Sequence, residues 1–129
     1  MGESERGGEI DPFVYSESLA KLAAYVERNL CGDVTATRAA TVVNRERRYF
    51  SKWFRARTGL RYSLWVRRLR VERGLRMLHT HDYSVAEVAF AVGFERVGSF
   101  CEATRAVAGI TPSEFKRRFV TMRLTKAGR

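Results

Sequence analysis

The sequence predicts an all-α fold of seven helices. Three observations lead there. Apolar residues recur at three- and four-residue spacing between residues that cap helix ends, no run alternates like a half-buried strand, and the two halves of the chain can be laid over each other.

Residues 1–15, with Gly2, Gly7, Gly8 and Pro12 and no apolar period, read as a flexible lead-in. The first helix opens at Ser16 or Ser18 and carries Leu19, Leu22, Ala23, Val26 and Leu30 before Gly32. The second follows Thr35 as N-cap and runs to Val43, where Asn44 is suited to the left-handed turn conformation. The third covers about 47–58 and stops at Gly59. The fourth, a linker over about 63–78, draws its apolar contacts from Leu64, Trp65, Leu69, Val71, Leu75 and Leu78, and residues 79–82 break it. Ser84 opens the fifth helix and Glu87 completes a capping box; the helix ends at Gly93. The sixth runs over about 96–108 and closes at Gly109. The seventh begins with Thr111-Pro112-Ser113-Glu114, which joins an N-cap, a proline at the first helical position and a capping-box glutamate.

The repeat organises these helices. Thr35, Ala40 and Asn44 match Ser84, Ala89 and Gly93 at an offset of 49, and Phe50, Gly59, Trp65 and Arg68 match Phe100, Gly109, Phe115 and Arg118 at an offset of 50. One residue inserted in the turn explains the change. Each half is a short capped helix, a tight turn and a longer helix, the pattern of a helix-turn-helix. The expected division is a lead-in (1–15), a first lobe (16–62), a linker helix and break (63–80), a second lobe (81–119) and a C-terminal tail (120–129).

Charge separates the two halves. The formal net charge is +10, and residues 45–76 hold twelve basic residues against two acidic ones, so this quarter of the chain carries the whole excess. A local excess of that size suits a polyanion, either a nucleic acid or an anionic membrane surface. A spanning segment is not expected, because no stretch approaches roughly 18 consecutive apolar residues. The polar, acidic N-terminus does not read as a secretory signal. Cys31 and Cys101, far apart and without metal-type spacing, read as free thiols in a reducing cytoplasm. No metal site or other cofactor is expected: His79 and His81 flank a helix C-terminus, where a cation is favoured, without further ligands nearby. No paired carboxylates, phosphate-binding glycine loop or nucleophile–base set suggests an enzyme.

The segment SVAEVAFAVGFERVGSFCEATRAVAGITPSEFKRR, preceded by RVERGLRML, resembles the DNA-binding domain of the AraC/XylS family of bacterial transcription regulators. The resemblance rests on Arg70, the Leu75–Leu78 region, Ala89, Gly93-Phe94, Phe100, Gly109, Pro112 and Phe115-Lys116, and it extends over about 19–118. It implies seven helices in two homeodomain-like lobes joined by a linker helix, each lobe inserting a recognition helix into double-stranded DNA, about 34 Å apart. Three residues depart from the pattern. Gly74 stands for alanine, Thr104 for an apolar core residue, and Glu102 for a basic or polar residue on the outer face of the sixth helix.

On the third helix Phe50, Trp53 and Phe54 share one side and form the lobe's core. Arg45, Arg48, Lys52 and Arg55 fall opposite, with Ser51 beside them. The resemblance aligns Arg48, Ser51 and Lys52 with base-contacting positions. Arg48 and Lys52 are therefore assigned to base edges, and Arg45, Arg47 and Arg55 to mixed phosphate and base contact. The sixth helix offers Arg96, Val97, Gly98, Cys101, Glu102 and Arg105 with far less charge. There Val97 can meet a thymine methyl and Glu102 a cytosine amino group. Arg67, Arg70, Arg73 and Arg76 on the linker are either solvated, paired with Glu72, or in contact with phosphate. A competing reading is an interaction module that binds RNA polymerase or another regulator through the less basic second lobe. No effector-binding domain is evident, so the chain reads either as a self-sufficient regulator or as the DNA-binding part of a longer one.

Overall fold

The computed structural model describes residues 11–127, with the side chains at 14–15 and 120–127 outside the description. Residues 1–10 of the expected flexible lead-in (1–15) and the last two residues of the expected tail lie outside the described residues. The seven expected helices are present, and among the described residues there is no strand. Among the described residues one helical turn precedes them, within the stretch read as lead-in: α1 (Pro12–Tyr15), where Asp11 accepts a hydrogen bond from the Phe13 N–H and proline occupies the first turn. The chain divides into two compact units.

The first unit takes in the described residues up to Asn29 and then 33–64. It holds α1, α2 (Glu17–Arg28), α3 (Ala36–Val42), α4 (Arg47–Thr58) and the first three residues of α5 (Tyr62–Thr80). Ser16 caps α2 through the Leu19 N–H, and Leu19, Leu22 and Val26 bury one stripe. Before α3, Asp33 accepts hydrogen bonds from the Thr35 hydroxyl (2.7 Å) and N–H (3.1 Å), while the Thr35 hydroxyl oxygen accepts from the Arg38 N–H. Those bonds favour the ionised carboxylate and hold Asp33 below its ordinary pKa of 3.8, the Thr35 hydroxyl contributing most. The core centres on Phe50, Phe54 and Tyr62, with Tyr62 meeting both phenylalanines edge-on at 5.1 and 5.4 Å between centroids. The buried Tyr62 hydroxyl donates to the Val34 carbonyl at 2.7 Å, satisfying its one polar atom.

The second unit comprises residues 30–32, the rest of α5, α6 (Val85–Ala91), α7 (Val97–Ala108) and α8 (Pro112–Ala127). Its core is Leu78, Val88, Ala89, Val92 and Phe100. Gly74, which costs about 1 kcal/mol of helix propensity relative to alanine, is explained here: a Cβ at that position would lie 2.8 Å from the Phe100 ring tip. The hydroxyl of the fully buried Thr104 donates to the Phe100 carbonyl at 2.7 Å, so a polar residue sits in the core without an orphaned group. Arg70 is a structural cation rather than a solvated one. Its guanidinium donates to the Leu30 carbonyl from Nε (3.2 Å) and from an Nη (2.9 Å), and lies 5.9 Å from the centre of the Phe94 ring.

Several boundaries and burials correct the sequence reading. α5 starts at Tyr62 and continues through His79 and Thr80, beyond the expected break. Leu64, taken as an apolar contact, is 45% exposed, and Tyr62 and Val66 are buried in its stead. Trp53 is half-buried rather than core. α8 continues through the stretch read as a tail to Ala127. Its Glu114 carboxylate, expected to cap the helix start, pairs with Arg118 at 2.8 Å.

Candidate nucleic-acid interface

Each unit contains one helix-turn-helix pair, α3–α4 in the first and α6–α7 in the second. Both turns use the same backbone solution. The Arg45 N–H donates to the Ala40 carbonyl at 2.8 Å and, 49 residues later, the Phe94 N–H donates to the Ala89 carbonyl at 3.0 Å. Asn44 (φ 57°) and Gly93 (φ 104°) occupy the left-handed position that such a stop requires. The inserted residue lies after this point: Glu46 is the N-cap of α4, two residues past Asn44, whereas Arg96 is the N-cap of α7, three past Gly93.

Phe50 and Phe54 anchor α4 in its core, and Phe100, Ala103 and Thr104 do so for α7. The opposite faces are therefore fixed in direction. On α4, Arg47, Arg48, Ser51, Lys52 and Arg55 are all exposed, as is Arg45 just before the helix. All six first-unit candidates are thus accessible, with Arg48, Lys52 and Arg55 on the side opposite Phe50 and Phe54. Two of the six are engaged by neighbours. The Arg45 guanidinium lies over the Trp53 ring, 4.8 Å from its centre. Arg48 donates to the Tyr49 hydroxyl at 2.9 Å, lies 4.8 Å from the centre of that ring and faces the Glu46 carboxylate at 3.6 Å.

Tyr49 was missed in the sequence, where it stood beside Phe50 as one more aromatic. It is 54% exposed and belongs to the outward face. The available signal was the helical period, which places residue 49 one turn before Trp53 and well away from Phe54.

The second unit brings its candidates together less completely. Arg96, Gly98, Glu102 and Arg105 are exposed. Cys101 is half-buried, and Val97 packs against the core cluster, which leaves little of its side chain for a thymine methyl. The outward row of α7 at four-residue spacing is Gly98, Glu102 and Ala106, where α4 has Arg48, Lys52 and Ala56. Among the described residues there is no group of His, Cys, Asp and Glu able to hold a metal ion, and no helix long and apolar enough to cross a membrane.

Two short helices, each turned onto a longer helix with an exposed outer face, define a helix-turn-helix protein. The family described as "Helix-turn-helix domain" matches residues 39–118. The DNA-binding domain of AdpA, solved in complex with a target DNA, superimposes with a TM-score of 0.77 at 30% identity, covering 84% of this chain and 97% of that one. An AraC-type regulator from Chromobacterium violaceum shares the fold with a TM-score of 0.72 at 24% identity over 79% of this chain and 91% of that one. The chain belongs to the AraC family of helix-turn-helix domains. Among curated proteins it is 27% identical over 83% of its length to the regulatory protein PocR of Salmonella typhimurium, and 30% identical over 79% to the transcriptional activator NphR of a Rhodococcus species. It covers 35% of the former and 30% of the latter, so it spans about a third of these relatives.

Proposed function

We propose that this chain binds double-stranded DNA with sequence preference, as the DNA-reading part of a bacterial transcription regulator working in the cytoplasm, and that α4 supplies most of its affinity and specificity. The observation that carries this reading is the outward face of α4. Arg48, Lys52 and Arg55 are exposed opposite Phe50 and Phe54, on a helix of the diameter that the major groove admits. Guanidinium and ammonium groups so placed can donate to guanine O6 and N7, and Arg45 and Arg47 beside the helix start can donate to phosphate oxygens. The DNA complex of the AdpA domain and the regulatory roles of the relatives support the reading. α7 meets DNA with a nearly neutral face and contributes less.

Selection of bound sequences from a random duplex pool tests the proposal. An enriched motif is expected, with its strongest positions in one half-motif. Absence of enrichment overturns sequence-specific binding.

A further inference from the structure

We propose that Glu102 is a specificity-determining residue of the second unit. Its carboxylate accepts a hydrogen bond from the amino group of a cytosine in the major groove and penalises base pairs that offer no donor there. The inference rests on the reading of α7 as a groove-facing helix and names what that helix selects.

Position comes first. Glu102 is exposed on the side of α7 opposite Phe100 and Thr104, at the place that Lys52 holds on α4. The fold makes no use of its carboxylate, whereas two other acids of the same unit are committed. Glu87 closes the capping box at Ser84, and Glu114 pairs with Arg118. Among the described residues no ion pair or side-chain hydrogen bond engages Glu102.

The neighbours on its row leave it accessible. Gly98, one turn earlier, has open space where a side chain would stand, with no atom within 4 Å of an added Cβ. Ala106, one turn later, is exposed and short. Glu102 is thus the single long side chain of its row, with the exposed Arg105 beside it.

A carboxylate accepts and cannot donate. Guanine N7 and O6 and thymine O4 also accept, so they repel it. Adenine's amino donor stands between two acceptors, its own N7 and the thymine O4, whereas cytosine N4 has an acceptor, the guanine O6, on one side only. Near the phosphates a carboxylate also lowers affinity for every duplex. That loss is offset only where the amino donor is present, so Glu102 selects mainly by penalising wrong bases.

The test compares motifs selected from one random duplex pool by the whole chain, Glu102→Ala and Glu102→Gln. Both substitutions are at an exposed site with good helix formers, and circular dichroism confirms folding. The wild type is expected to enrich cytosine at one position of the second half-motif. Glu102→Ala should flatten that position by raising affinity for the disfavoured bases about five- to tenfold. Glu102→Gln should shift it toward adenine, whose N6 and N7 suit an amide. The first half-motif should be the same in all three. Identical second half-motifs in all three proteins overturn the proposal. So does a wild type that enriches the first half-motif alone, which leaves α4 as a DNA reader and points α7 toward a protein partner. No enrichment at all removes the DNA-reading function as well.

Discussion

The two helix-turn-helix pairs share a turn and differ in the face they present. Ala40, Asn44 and Arg45 make the same backbone bonds as Ala89, Gly93 and Phe94, and Gly59 and Gly109 end the second helices with equivalent bonds to the Arg55 and Arg105 carbonyls. The outward rows share only alanine at 56 and 106, with an exposed arginine beside each, Arg55 and Arg105. Caps, turn and core thus fix where a recognition helix points, while the face it presents is free to vary because no packing depends on it. A repeat can therefore persist in architecture while its two copies acquire different chemistry.

The largest expected effect breaks the comparison at the turn. At Gly93 an added Cβ would run into the Leu30 carbonyl oxygen and lie 2.8 Å from Arg70 Nε. Gly93→Ala should therefore destabilise the second unit by about 3 kcal/mol or more, from clash and left-handed strain together. Asn44→Ala in the first unit should cost about 1–2 kcal/mol, from the left-handed conformation alone. Urea unfolding followed by circular dichroism measures both; equal costs would show that the Leu30 carbonyl and Arg70 do not confine the second turn.

Next comes the binding face. Arg48→Ala and Lys52→Ala should each weaken binding to a selected site by about 1–3 kcal/mol and relax preference at one or two base pairs. Arg105→Ala should lower affinity by less, read by fluorescence titration. A smaller effect belongs to Tyr49→Phe, which removes the hydroxyl that accepts from Arg48 and should cost about 0.5–1 kcal/mol of binding. The smallest concerns how the start of α3 is capped. Because hydrogen bonds from Thr35 lower the Asp33 pKa, its stabilising contribution is complete at neutral pH and is lost as pH falls below about 3.8 toward the folded-state value. The stability gap between wild type and Asp33→Ala should accordingly close in that acid range, which pH-dependent unfolding measures.

Much of this architecture was legible because single residues mark it. Thr35, Ser84 with Glu87, Gly59, Gly93 and Gly109 each stand where the structure needs a cap or a stop. The basic face of α4 was legible for the same reason that α4 is a helix: Phe50 and Phe54 settle which side is buried. α5 was harder. Tyr62, Trp65, Val66, Val71, Gly74 and Leu78 are buried around much of its circumference, so the period that usually assigns faces is blurred and Leu64 was taken for an inward residue. α1 carried its signal in Asp11-Pro12, but a four-residue turn has no apolar period to draw attention. Trp53 was misjudged because a large ring can lie half outside the core when a cation covers it, as Arg45 does.

The central claim, that α4 supplies most of the DNA-reading chemistry, is tested most directly by exchanging charges between equivalent positions. The double variant Lys52→Glu with Glu102→Lys keeps the formal net charge at +10, so a change in affinity reports where the cation stands. Affinity for a site selected by the wild type should fall by tenfold or more, given about 1–3 kcal/mol for a lost base contact. Unchanged or tighter binding would contradict the account.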